Sequence, residues 1–194
     1  MANEAAIIGL GAVLGFVAWK LTRQVAGGEY QTAGDEESDV FTDTVEEMKS
    51  KLGWTWPTGS EPYADMITGA SALHGVPVSI LAWLLWKESR YNPAIISGAK
   101  RSPVGAMGIA QFMPPTAVEE LGSTAAALDP VRAIPGAARY LAKLYRATGS
   151  WQAALAAYNW GIGNVQRKGL SVAPAETRDY YTTILAKAGY EAMA

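Results

Sequence analysis

Residues 80–93 read Ile80-Leu-Ala-Trp-Leu-Leu-Trp-Lys-Glu-Ser-Arg-Tyr-Asn-Pro93, a stretch almost wholly apolar until it presents one carboxylate. Leu81, Leu84 and Leu85 precede Glu88 at helical spacing and share its side of the helix. A carboxyl held against such a wall is desolvated, which raises its pKa and keeps it protonated near neutrality. That is the requirement for a general acid. The plain alternative is a glutamate at a helix end that reaches into solvent. The remaining chain decides between the two.

At 194 residues the chain has room for one well-packed domain and an appendage. Seven Trp and nine Tyr make it rich in aromatic side chains, which fill cores but also stack on sugar rings. With no cysteine there is no disulfide, thiol nucleophile or thiolate metal site. His74 is the only histidine, so a multi-histidine metal centre is excluded and a serine–histidine triad has little basis. Its place at a helix end reads as a cap or surface role. Residues 1–60 carry nine acids and four bases, whereas residues 61–194 carry nine acids and twelve bases and are therefore +3. That balance mildly favours an anionic polymer, and no basic run points to nucleic acid.

Three parts follow along the chain: residues 1–23, 24–60 and 61–194. Ala5 to Trp19 is uncharged and is followed by Lys20 and Arg23. As a helix it reaches roughly 22 Å against a hydrocarbon core of about 30 Å, a marginal span that residues up to 21 extend. Gly11 and Gly15 supply a small-xxx-small pair, and no basic start marks a secretory signal. Residues 5–21 therefore read as an apolar helix for membrane insertion or partner packing, against the alternatives of an uncleaved signal-like leader or a helix buried in a larger assembly. Residues 24–60 read as an acidic tether, with Asp35-Glu-Glu-Ser-Asp39 at its centre and Trp54-Thr-Trp-Pro57 placed to pin it onto the domain.

From Glu61 the pattern is helical throughout. Helices are expected from Tyr63 to His74, from Pro77 to about Ser89, from a Thr116-Ala-Val-Glu119 capping box, and from Asp129-Pro130 to near Gly149. Two more should begin at Ser150-Trp151 and at Glu176, the last running to Ala188 with Tyr180, Ile184 and Leu185 on one side. Asn92-Pro93 reads as a terminator before a loop from Ile96 to Gly108, which leaves room for a small hairpin. The fold class is all-α.

Four segments carry the chemistry. Glu88-Ser89 comes first, then Ser102-Pro-Val-Gly-Ala-Met-Gly-Ile-Ala-Gln-Phe-Met-Pro114, then Ala157-Tyr-Asn-Trp-Gly161, and finally Glu176-Thr-Arg-Asp-Tyr180. Gly105 and Gly108 would allow a tight turn and close approach of a chain-like ligand. Gln111 offers a donor and acceptors to sugar groups, and Met113-Pro-Pro115 an apolar wall. Tyr158 and Asn159 offer hydrogen bonds, or simply close a helix at Gly161. Glu176 is the second candidate carboxylate, although near a helix start it would equally cap the helix or hold Arg178 or a tyrosine hydroxyl.

Together and in this order, the segments resemble the soluble lytic transglycosylase family, whose domain is related to goose-type lysozyme. The resemblance covers roughly residues 76–185. It implies a lysozyme-like helical domain that cleaves the MurNAc–GlcNAc β-1,4 bonds of peptidoglycan glycan strands without water, metal or cofactor. By that resemblance Glu88 is the acid and base, Ser102 lies near the reacting sugar, and Gln111, Met113, Tyr158, Asn159, Glu176 and Tyr180 occupy groove and support positions. The muramyl 6-hydroxyl would be the nucleophile and leave a 1,6-anhydromuramyl end, which explains why one carboxylate suffices where most glycosidases need two. The sequence departs from the family pattern between Glu88 and Ser102, where the extra residues 97–101 include Gly98-Ala-Lys-Arg101. Competing readings are a hydrolytic goose-type lysozyme and a non-catalytic peptidoglycan-binding module. A small muralytic domain behind an apolar helix fits a bacteriophage virion enzyme acting in the periplasm. The alternative setting is a bacterial inner-membrane protein facing the periplasm.

Overall fold

The computed structural model describes residues 54–190. Eight helices follow one another: α1 (Ala64–His74), α2 (Val78–Ser89), α3 (Pro93–Ile96), α4 (Pro114–Leu121), α5 (Pro130–Thr148), α6 (Trp151–Trp160), α7 (Ile162–Lys168) and α8 (Ala175–Lys187). Short 3-10 turns at Glu61–Tyr63, Ala125–Leu128 and Leu170–Val172 join them. No strand forms among the described residues, so the expected all-α class holds. Residues 5–21 and most of the tether lie outside the described residues. No helix among the described residues is long and apolar enough to cross a membrane.

Helix α2 lies at the centre. Ile80, Leu81, Leu84 and Leu85 are fully buried, because α2 packs between α1 and α8. Burying each such side chain contributes roughly 1.5–3 kcal/mol before chain entropy is deducted, so α2 anchors whatever its C-terminus presents. Helix α6 joins α5 to α8 through a nearly all-alanine face, Ala153 to Ala157 around Leu155, which lets the three helices approach closely. Two of the expected starts form as read. Asp129 accepts a hydrogen bond from the Val131 N–H at 3.0 Å, and Ser150 accepts from Ala153 N–H at 3.2 Å. Upstream, Trp54, Pro57 and Ser60 are buried on this body, and the Trp83 indole donates to the Thr55 carbonyl at 3.0 Å.

Local expectations fail in four places, each for an identifiable reason. Thr116 does not cap α4: Met113 is the N-cap, and Pro114 and Pro115 fill the first turn, where a missing N–H costs nothing. Asn92 starts a helix rather than ending one. Its Oδ1 accepts from Ala94 N–H at 2.9 Å and opens the single turn of α3, while α2 has already stopped where Arg90 and Tyr91 adopt left-handed backbone. The hairpin allowed within 96–108 is absent. Instead Met107 and Phe112 exchange two backbone hydrogen bonds of 3.0 Å, closing a tight turn over residues 107–112. Helix α7 went unread because it is short and sits between Gly161 and Gly169, both normally taken as stops.

Candidate active site

The end of α2 is locked before Glu88 is considered. Ser89 is fully buried; its hydroxyl donates to the Leu85 carbonyl at 3.0 Å and accepts from Tyr91 N–H at 3.2 Å. The buried Tyr91 hydroxyl returns to the Ala82 carbonyl at 2.8 Å, and its ring stacks on Tyr63 with centroids 5.7 Å apart. Arg90, pointed outward by the same turn, lays its guanidinium 3.6 Å above the Trp86 ring. These contacts hold two consecutive non-glycine residues in left-handed backbone, at roughly 1–2 kcal/mol each.

Glu88 stands one residue earlier, half-buried. Burial pushes its carboxyl from a free glutamate's 4.5 up to about 7, against the lowering effects of the Tyr180 hydroxyl and the Lys87 ammonium. Tyr180, buried on α8, donates its hydroxyl to Glu88 Oε1 at 2.5 Å. Burial and the neighbouring Glu88 push the Tyr180 phenol well above its ordinary range, so it acts here only as a neutral donor. Lys87 is drawn away into an ion pair with Asp179 Oδ2 at 2.6 Å, which also ties α2 to α8. The half-buried Glu88 carboxyl thus carries one short hydrogen bond and, among the described residues, faces no compensating cation at contact distance.

Tyr158, on α6, is the other phenol close enough for Glu88 to act on it: burial first and the Glu88 charge second push it well above its ordinary range. Its hydroxyl donates to the Ala110 carbonyl at 2.9 Å, and its ring packs with Tyr140 and Phe112 at centroid distances of 5.4 and 6.4 Å. The 107–112 turn is therefore fastened to α6 from both its backbone and its side chains. Gln111 sits on that turn in left-handed backbone (φ 47°), with its amide nitrogen donating to the Gly108 carbonyl at 2.8 Å. Its amide oxygen remains available as an acceptor. Gly108 serves protein packing rather than ligand approach. A Cβ on it would lie 1.7 Å from the Ala127 carbonyl oxygen, so only glycine lets the turn seat on the 3-10 segment at 125–128. Gly105 has space around it, as expected of a glycine beside a groove.

The remaining expected residues divide. Asn159 is exposed, and its Oδ1 accepts from the buried Thr177 hydroxyl at 2.8 Å, joining α6 to α8 beside Tyr180. Met113 is 42% exposed at the start of α4. Glu176 is exposed in the first turn of α8 and forms no ion pair among the described residues. It holds neither of its expected partners, since Arg178 donates to the Ala173 carbonyl and Tyr180 to Glu88. Ser102 lines a cavity of about 400 Å³ under the 97–107 loop, together with Lys100, Arg101, Gly105 and Met107 and without Glu88, and its hydroxyl accepts from Val104 N–H at 3.4 Å. Ser89, Thr177 and Tyr91 were not expected as site residues. Ser89 and Thr177 were in plain view as the second members of Glu88-Ser89 and Glu176-Thr177. No group of His, Asp or Glu among the described residues is arranged to hold a metal ion.

The transglycosylase SLT domain family model matches residues 65–181. A transglycosylase of Enterobacteria phage PRD1 is 36% identical over 104 residues, 54% of this chain and 37% of the phage protein. The 70 kDa soluble lytic transglycosylase of Escherichia coli aligns at 28% identity and TM-score 0.58, covering 65% of this chain and 23% of the enzyme. A complex of the 70 kDa soluble lytic transglycosylase with bulgecin A aligns at 30% identity and TM-score 0.58, over the same shares. The chain thus spans about a third of its phage relative and a quarter of the larger enzymes. With the family model matching most of the helical body, the chain belongs to the transglycosylase SLT domain family.

Proposed function

We propose that this protein is a peptidoglycan lytic transglycosylase that cleaves MurNAc–GlcNAc β-1,4 bonds and leaves 1,6-anhydromuramyl ends. The observation that carries the reading is Glu88, a carboxyl raised to about 7 by burial and held by a single phenol. At that value it is substantially protonated near neutrality, and its conjugate base is strong enough to take a proton back. Glu88 donates its proton to the glycosidic oxygen as the bond from that oxygen to the anomeric carbon breaks. The muramyl N-acetyl group supports the positive charge that develops at the anomeric carbon. Glu88, now a carboxylate, removes the proton of the muramyl 6-hydroxyl, whose oxygen closes on the anomeric carbon. The nucleophile is already tethered to the reacting sugar, so effective molarity stands in for a second carboxylate. An exposed Glu176 with no fixed partner is consistent with that division of labour. Tyr180 retains Glu88 in one rotamer, Gln111 and Asn159 face sugar groups, and Met113 supplies an apolar edge.

Mass spectrometry of purified peptidoglycan digested by the full chain tests the reaction. Anhydromuramyl products from the wild type and none from Glu88→Gln support it. Reducing-end products would make water the nucleophile, and binding without products would make the protein an adhesion module.

For setting, the similarity to a phage transglycosylase supports a virion-associated enzyme that opens the wall locally for genome entry. In that arrangement residues 1–23 serve membrane or particle assembly, residues 24–60 are the tether and residues 61–194 the catalytic part. A reporter active only in the periplasm, fused after residue 60, checks this: export by residues 1–60 alone would favour a bacterial inner-membrane protein instead.

A further inference from the structure

Two consecutive residues of α2 meet two consecutive residues of α8. Lys87 Nζ pairs with Asp179 Oδ2 at 2.6 Å, and Glu88 Oε1 accepts from the Tyr180 hydroxyl at 2.5 Å. The helices are thus joined by one charged rung and one neutral rung. Only 17% of the Lys87 side chain is exposed, so water screens its charge poorly. Against burial, the Tyr180 hydroxyl first and the Lys87 ammonium second pull the Glu88 carboxyl down. The other ionisable groups around α2 stand apart from this pair. Helix α1 brings an exposed Asp65 and His74, and His74 is acted on by Arg139 and Arg146 of α5. Helix α6 brings only the neutral Tyr158. On α8, Glu176 is exposed and Arg178 donates to the Ala173 carbonyl. Arg90 is exposed and lies 3.6 Å above the Trp86 ring. Among the described residues, Lys87 is therefore the cation that acts on Glu88.

Resting on the reading of Glu88 as the general acid, we propose that Asp179 is a positioning residue that holds the Lys87 ammonium in a contact pair and so keeps Glu88 protonated. A cation paired at 2.6 Å presents its surroundings with a dipole, whose field falls off faster than that of a lone charge. Asp179 is suited to this role. The Lys87 hydrogen bond and charge hold its carboxyl below the usual carboxylate range, and the Arg90 charge adds to this. The pair therefore stays ionised across the interval in which Glu88 titrates. Thr183, one turn further along α8, donates to Asp179 Oδ1 at 3.4 Å and steadies the carboxylate. Without Asp179, the Lys87 charge is uncompensated beside Glu88 and favours the ionised carboxyl. The acid then gives up its proton at lower pH, before the glycosidic oxygen has received it. Asp179 exerts this effect through Lys87 and not on the reacting atoms.

Carbon-13 NMR titration of the side-chain carboxyls in the full chain distinguishes this role from that of a simple staple between helices. In Asp179→Asn the Glu88 midpoint should fall by about half a pH unit, the partial exposure of the pair limiting the shift. The alkaline limb of fragment release from purified peptidoglycan should move down with it. In Lys87→Met/Asp179→Asn the cation is gone as well, and the midpoint should return to the wild-type value. Both variants lose the ion pair, so a loosened or hydrated interface would lower the midpoint in both. A released cation lowers it in the first alone. An unmoved midpoint in Asp179→Asn, or a double variant that stays low, would overturn the proposal. So would a loss of urea stability in both variants with Glu88 unmoved, which would leave the pair a staple only. These outcomes strike the role of Asp179 alone. A wild-type midpoint near 4.5 would overturn the acid reading and this role together.

Discussion

Replacing Tyr180 with phenylalanine keeps the buried ring and removes one atom, the hydroxyl that donates to Glu88 Oε1 at 2.5 Å. That bond favours the ionised carboxyl and so opposes the burial that raises it to about 7. A hydrogen bond to a charged group contributes roughly 1.5–3 kcal/mol, part of which is kept when the carboxyl is protonated. About half of that, at 1.36 kcal/mol per pKa unit, should move Glu88 up by about one further unit. A general acid works only while protonated, so activity is lost as pH rises through its pKa. The alkaline limb of kcat/KM in Tyr180→Phe should therefore shift about one unit higher, while the rate at its optimum falls because the carboxyl is no longer fixed in one rotamer. The assay is release of soluble fragments from purified peptidoglycan across the neutral and alkaline range. An alkaline limb that stays in place or moves to lower pH would refute the idea that Tyr180 acts on the Glu88 proton.

Other consequences follow from the same geometry. Glu88 binds a proton more tightly folded than unfolded, so the folded protein loses stability as pH rises from about 4.5 to about 7. Glu88→Gln removes that loss. Denaturant titrations should find the variant gaining on the wild type by about 3 kcal/mol over this interval, with no such trend below it; a pH-independent difference would be inconsistent with a raised carboxyl. Gly108→Ala requires left-handed backbone at alanine, roughly 1–2 kcal/mol, and displacement of the Ala127 carbonyl, roughly 1–3 kcal/mol more. Urea midpoints should register a combined loss of about 3 kcal/mol, and a loss below about 1 kcal/mol would mean the turn is not seated on residues 125–128. Tyr158→Phe leaves the Ala110 carbonyl without its donor and should cost about 1–2 kcal/mol in the same titration, with KM raised as Gln111 loosens. Unchanged KM would separate Gln111 from substrate.

The sequence read best where one local rule acts alone. Asp129 and Ser150 are N-caps whose side chains satisfy backbone donors two or three residues ahead, and nothing tertiary competes with them. The leucines of α2 follow a simple helical period, so the desolvated surroundings of Glu88 were legible in residues 80–93. Thr116 misled because two prolines upstream already supply an α4 start that needs no side-chain cap. Gly108 misled in a different way. Its glycine is required by a contact with residue 127, which no reading of the 102–114 block can contain. The partners of Tyr180 and Glu176 were similarly out of reach. Which of them meets Glu88 depends on how α8 is rotated against α2, and the Lys87–Asp179 ion pair and the Thr177–Asn159 hydrogen bond help to fix that rotation.

The fold holds one carboxyl, Glu88, protonated close to neutral pH. A carbon-13 NMR titration of the glutamate side-chain carboxyls in the full chain, with Glu88→Gln to assign the resonance, measures that directly. A Glu88 midpoint of about 7 is expected. A midpoint near 4.5, the value of a free glutamate, would contradict it and leave Glu88 as an ordinary helix-end carboxylate.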